Sequence, residues 1–531
     1  MNDNTETGGS CRSYVREVPK ISTPVATFSI ISVTLGAGMI SLPFSAFHTG
    51  IPFALIYNCF NCVACIYSIH LYIKCAEVTH CNSISRIGFE VWGRFALYLI
   101  NFMQIISKGF LPIAYLIIFQ KLLCSLLCEI EWVKTDGNDT IGGRWFSMLV
   151  ASIIMFPLIL RKKIISLKVS GILLFSSVIL FIILMFVSVM YGREIKEKDI
   201  EIDPKELYKF TLGKEFWSSL STPFVAYEFQ TSFFPIFNSL REKNYQQGIK
   251  FVSYGMGFCL IVYILMIFVS LYSFGNQIQG NVLVNIGNVK SWEPYVIRIL
   301  FLFVVINHLP FVFMIGKESL LAIIALFSIR GETQKEINSS VIIDENQGEI
   351  NVQNRTSDRQ ALFFSFDDEG ESNTFSNATT CQRKMGAFDQ LISNGVDKSV
   401  SMALPFSKKE REEVTITGPL ADQEINFETG SDFLRNLVYY SVTIFFYACL
   451  VFAAYIIKDV EVVLSFVGSI SFSFLNFTIP GLFYFIIMRK HQVNNSKLSL
   501  SLALLLSLYG LVAGIVLTAI NLWILISPVE D

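Results

Sequence analysis

Eleven apolar stretches, each about as long as a membrane is thick, constrain this chain more than any other feature. A hydrocarbon layer of about 30 Å takes about 20 helical residues. Stretches of that kind fall at about 23–47, 51–76, 96–128, 145–160, 168–191, 213–238, 249–274, 294–328, 433–457, 461–488 and 499–526, spans 1 to 11 below. Lipid offers the backbone no hydrogen bonds, so each span must pair its own N–H and C=O groups as a helix. The fold class expected is all-α integral membrane, with 11 transmembrane helices. Composition agrees, with 53% hydrophobic residues, 48 phenylalanines and only 16% charged residues. A net charge of -2 without a basic domain excludes nucleic acid as a partner, because phosphate binding needs clustered positive charge.

Lysine and arginine in the short loops set the orientation. The segments Arg161 to Lys168, Asn238 to Lys250 and Arg489 to Lys497 are basic and fall on one side if the spans number eleven. That side is read as the cytosol. It then holds a tail at 1–22, which lacks the apolar core of a cleavable signal peptide, and a loop at 329–432. Residues 23–328 carry spans 1–8, and 433–531 carry spans 9–11 with a short tail on the opposite face. The 329–432 loop is rich in Ser, Thr, Asn and Glu and is expected to be disordered, as a linker or as a phosphorylated regulatory segment. The sequon at Asn138 lies outside and is usable, whereas those at Asn338, Asn354 and Asn377 lie inside and should be idle. Cys59, Cys62 and Cys65 have metal-like spacing but lie in an apolar helix without an imidazole at hand, so packing is the expected role and no cofactor is expected.

Two spans are interrupted. Span 1 carries "VTLGAGMISLPFSAFHTG", Val33 to Gly50, with Gly36-Ala37-Gly38 at mid-membrane depth. Span 6 carries "STPFVAYEFQTSFFPIF", Ser221 to Phe237, in which Pro223 and Pro235 bracket Tyr227-Glu228-Phe229-Gln230. Irregular backbone at this depth is tolerated only inside protein or around a cavity, and matched breaks in two halves mark a carrier's binding site. Taken alone, span 6 is equally a proline-kinked helix with Glu228 paired to a lysine. Both breaks open a five-helix unit, which an inverted five-plus-five repeat with one extra C-terminal helix explains.

The segment "LGAGMISLPFSAFHTG" resembles the span 1 signature of the amino acid/auxin permease family. "AYEFQTSFFPIFNSLR" (Ala226 to Arg241), "YLIIFQKLL" (Tyr115 to Leu123) and "RILFLFVVINHLPFVFMIGKESL" (Arg298 to Leu320) are similar to that family's spans 6, 3 and 8. The resemblance implies a leucine-transporter-like fold that moves amino acids by alternating access. Carried over, backbone at Leu35, Gly36, Ala37 and Gly38 would meet the substrate carboxylate. Glycines let N–H groups approach closely, and the half-helix that follows points its positive end at an anion. Tyr227, Glu228, Phe229 and Gln230 would receive the amino group or side chain, and Tyr115 would close the site.

The departures bear on coupling. Ser32 stands where sodium-coupled relatives have asparagine on span 1, and His308 where they have a hydroxyl on span 8. Sodium wants several hard oxygens, whereas imidazole suits proton transfer. A proton-coupled or facilitative carrier is therefore favoured over a sodium symporter, with Ser32, Thr34, Lys108, Asn307 and His308 as coupling candidates. His308 is equally read as a packed residue bonded to Asn307 or a neighbouring carbonyl. Intramembrane charges are expensive and face a cavity or each other, which makes Lys108 and Glu228 candidate partners. Glu228 hints at cationic substrates; Phe229 and Tyr227 hint at large neutral ones. Arg298, near the end of its apolar run, is expected to snorkel to the interface. No nucleophile triad or phosphate loop points to an enzyme. The alternative from another class is an amino-acid sensor that uses the fold without flux. Relatives occupy plasma membranes and vacuolar or lysosomal membranes, and no sorting signal chooses between them.

Overall fold

The computed structural model describes residues 21–127, 141–160, eight residues between 175 and 186, 213–287, 292–345, 432–457, 459–493 and 495–526. Span 5 and the sequon at Asn138 lie outside the described residues, apart from those eight, as does most of the 329–432 segment. Among the described residues seven helices are long and apolar enough to cross a membrane, or eight if a bent pair is counted as one span.

The bent pair is span 1. Helix α1 (Thr23–Thr34) and α2 (Ala37–Thr49) meet at 59°. Pro24 stands in the first turn of α1, where its missing N–H costs nothing. Gly50, at φ +79°, ends α2 in a conformation that suits only glycine, and α3 (Ile51–Thr79) starts at once. A short helix, α4 (Ile84–Trp92), follows; Ser83 Oγ accepts the Arg86 N–H at 3.2 Å as its cap. Span 3 is α5 (Arg94–Gln104), a π turn at Ile105–Gly109, and α6 (Phe110–Leu127). Helix α7 (Ile141–Ile159) covers span 4.

Span 6 is in pieces: α8 (Lys214–Ser219), α9 (Thr222–Ala226) and α10 (Gln230–Asn238). Then come α11 (Tyr245–Phe274), the short α12 (Val282–Gly287) and α13 (Trp292–Glu345), which runs on beyond residue 328. Helix α14 (Asp432–Ile456) is span 9. Span 10 is α15 (Val460–Val467), two π turns at Gly468–Phe472 and Phe474–Thr478, and α16 (Ile479–Lys490). Helix α17 (Lys497–Ile526) is span 11.

Burial locates the core. Spans 3 and 10 are 72% and 78% enclosed by protein over their most apolar windows, whereas spans 9 and 11 are each 28% enclosed. Among the described residues these two enclosed spans are also the two carrying π turns, features that concentrate where function distorts a helix. Lipid gives no hydrophobic drive between helices, so close contact relies on small residues. Gly109 of the span 3 π turn abuts Gly316 of α13, and Gly481 abuts the Ala503 carbonyl of α17. An isolated parallel bridge ties Ile21 to Leu240, with Ile21 N–H donating to Ser239 O at 2.8 Å and Arg241 N–H to Ile21 O at 3.1 Å. The start of span 1 is thereby clasped to the end of span 6.

Candidate functional site

The two breaks meet. Helix α1 stops at Thr34, Leu35 is extended (φ -74°, ψ 102°), and Gly36 (φ -154°, ψ -142°) turns the chain into α2. The unwound residues are Leu35 and Gly36, so the break lies slightly earlier than Gly36-Ala37-Gly38 implied, and Ala37 and Gly38 open the second half-helix. N–H groups in a first turn have no acceptor within their own helix. In span 6, Tyr227, Glu228 and Phe229 separate α9 from α10. A Cβ added at Gly38 would lie 2.5 Å from Ala226 Cα and 2.8 Å from its Cβ. Backbone therefore packs against backbone where the two interrupted spans cross.

Two tyrosines hold this crossing. Tyr115 on α6 accepts the Ala37 N–H at 3.1 Å. Tyr263 on α11 lies 3.0 Å from the Thr34 carbonyl and 2.6 Å from the Ala226 carbonyl, the ends of α1 and α9. Tyr115 stacks on His308, with ring centroids 5.2 Å apart and planes at 25°, and Tyr227 meets Tyr263 edge-on at 5.1 Å. His308 is only 4% exposed and its Nδ1 has no hydrogen-bond partner. A Cβ at Gly36 would stand 3.3 Å from its Cε1, so the ring faces the span 1 break.

Two residues after Ala226 in the chain, Glu228 Oε2 is bonded by Lys108 Nζ, and the two side chains are 2% and 3% exposed. Lys108 sits in the π turn of span 3, and its Nζ lies 5.6 Å from the Phe472 ring centroid in the π turn of span 10. Glu228 Oε1 accepts the Thr231 hydroxyl at 2.9 Å, which places a carboxylate before the positive end of α10. Both oxygens of the carboxylate are thus engaged by groups of the protein itself.

The other singled-out residues serve more local ends. Gln230 Oε1 accepts the N–H of Phe229, the residue just before its helix, at 2.9 Å, and Nε2 reaches Ser68 Oγ at 3.3 Å. Phe229 is fully buried. Ser32 Oγ donates to Ser29 O at 3.0 Å and lines a small recess with Ser29, Ser232 and Phe311. Thr34 Oγ1 donates to Ile30 O at 2.8 Å. Asn307 Nδ2 donates to Phe303 O at 2.8 Å, so it does not hold His308. Arg298 corrects the snorkelling expectation. It is fully buried, donates to Ser125 Oγ at 3.2 Å and stacks over Tyr295 at 4.8 Å, because spans 3 and 8 offer a hydroxyl and an aromatic face within its reach.

Sequence reading missed Tyr263, which sits in an uninterrupted apolar run where a tyrosine is unremarkable. It also missed the π turns; Gly109 and Gly468 were the visible traces. Backbone-lined breaks, with donors at one end and acceptors at the other, suit a small zwitterion rather than chemistry on a bound group. A family model described as transmembrane amino acid transporter protein matches residues 19–527. With nearly its whole length matched, this chain belongs to that family, the amino acid/auxin permeases, whose members are transporters and not enzymes.

Proposed function

We propose that the protein moves amino acids by alternating access, taking the substrate where spans 1 and 6 are broken. The observation that carries this reading is the convergence of the two breaks around Gly38 and Ala226. The carboxylate meets the N–H groups opening α2, at Ala37 and Gly38, beside the unwound Leu35 and Gly36. The ammonium group meets the carbonyls of Thr34 and Ala226, which end α1 and α9. Tyr115, Tyr227, Phe229 and His308 supply the surrounding wall. Since Lys108 neutralises Glu228, an uncharged side chain is favoured over a cationic one.

The framework is eleven spans arranged as two inverted five-helix units and one further helix. It is supported by interruptions at the first span of each unit. The bridge from Ile21 to Leu240 sets the start of span 1 beside the basic 238–250 loop, which supports a cytosolic N-terminus and a cytosolic 329–432 segment.

For coupling, proton or none is preferred to sodium. Ser32 Oγ is committed to its own helix, and Lys108 is buried against Glu228. Glu228 and His308 are the groups through which a proton would act. Uptake of labelled amino acids into proteoliposomes under imposed proton or sodium gradients tests this reading. Saturable flux, faster with a proton gradient or indifferent to both ions, is expected. A sodium requirement overturns the coupling assignment, and binding without flux identifies a sensor.

A further inference from the structure

The backbone groups assigned above to the substrate are already engaged. Tyr115 accepts the Ala37 N–H, as a carboxylate would. Tyr263 donates to the carbonyls of Thr34 and Ala226, as an ammonium would. Its hydroxyl has one proton for two buried carbonyls, so it serves one at a time. The two phenols therefore meet backbone groups of opposite polarity on either side of the span 1 break. Tyr115 is 2% exposed and Tyr263 fully buried, and both rings are held by aromatic partners, His308 and Tyr227.

We propose that the two tyrosine hydroxyls are stand-ins for a zwitterion and that the substrate displaces both. This rests on the amino-acid reading above. The carboxylate releases Tyr115 from Ala37, and the ammonium releases Tyr263 from Thr34 and Ala226. Hydrogen bonds to charged groups are roughly twice as strong as neutral ones, which drives the exchange. An ammonium also brings three donors where the phenol brings one, so both carbonyls are satisfied together. Between turnovers the phenols keep buried backbone groups from being left unpaired. Selectivity follows: a ligand lacking either charged group displaces one tyrosine and leaves the other in place.

The test uses the full-length protein in lipid nanodiscs. Each of the common L-amino acids is screened for thermal stabilisation, and the most stabilising one becomes the probe. If none stabilises, the amino-acid reading itself fails. Affinities are then measured for the probe, its decarboxylated amine and its deaminated acid. Tyr115→Phe is expected to tighten the amino acid and the acid by roughly 3- to 10-fold and to leave the amine unchanged. Tyr263→Phe is expected to tighten the amino acid and the amine and to leave the acid unchanged. Weaker binding in either variant would make the hydroxyls retained ligands, and equal shifts or none across all three ligands would reduce the tyrosines to packing; each result overturns the proposal. Should a variant fail to fold, fluorotyrosine placed at 115 or 263 gives a second readout. Its fluorine resonance should move on adding the probe, and a resonance that stays put is equally fatal.

Discussion

Neutralising one member of the Lys108–Glu228 pair should do far more damage than neutralising both. Each side chain is almost wholly enclosed, at 3% and 2% exposure, so solvent does little to screen a charge left behind. Removing one partner of a buried pair costs about 3–5 kcal/mol, against a total stability of about 5–15 kcal/mol. Lys108→Met leaves Glu228 with only the Thr231 hydroxyl at 2.9 Å and is placed at the upper end of that range. Glu228→Gln is milder, because the amide oxygen still accepts from Lys108 and the hydroxyl of Thr231 still has a partner. The double variant Lys108→Met/Glu228→Gln removes both charges of the pair, and an interaction energy of about 2 kcal/mol or more is expected from the cycle. The assay is thermal unfolding in nanodiscs, followed by uptake in every variant that folds. If the pair carries the coupling proton, the double variant folds but loses its response to a proton gradient. A double variant no more stable than the worse single would refute the reasoning.

Gly38→Ala should abolish uptake while leaving insertion intact, since its Cβ would come within 2.5 Å of Ala226 Cα, an atom of the backbone that cannot swing aside. The readout is transport against surface or membrane abundance. Arg298→Lys keeps the charge but loses the planar group that stacks over Tyr295 and reaches Ser125. It should cost about 1–3 kcal/mol, as the loss of a charged hydrogen bond does, seen as a lowered melting temperature; an arginine at the lipid interface would tolerate the change.

Much of this architecture is legible in the sequence because lipid enforces simple rules. Span length follows from membrane thickness, and Gly36 with Gly38 betrays the first break because glycine serves little purpose in an ordinary lipid-facing helix. The second break is less direct. Pro223 and Pro235 pointed to it, yet Pro223 occupies the first turn of α9 and Pro235 lies within α10. The unwound residues, Tyr227 to Phe229, include neither glycine nor proline. Their conformation is held by side-chain bonds: Tyr263 to the Ala226 carbonyl, Gln230 to the Phe229 amide, and Lys108 to Glu228. The first and third of these join residues far apart in the chain, and the second is a local side-chain bond to the preceding amide; periodicity reports none of them. Arg298 shows the same limit, since an arginine near the end of an apolar run snorkels or finds a buried partner, and only the neighbouring spans decide which.

The central claim is that an amino acid is held by the backbone of the two broken spans. An experimental density map of the protein saturated with its stabilising amino acid tests this most directly. The predicted result is ligand density with its carboxylate at the Ala37 and Gly38 amides and its ammonium at the Thr34 and Ala226 carbonyls. Density confined elsewhere, such as the recess beside Ser29, Ser32 and Ser232, would contradict it.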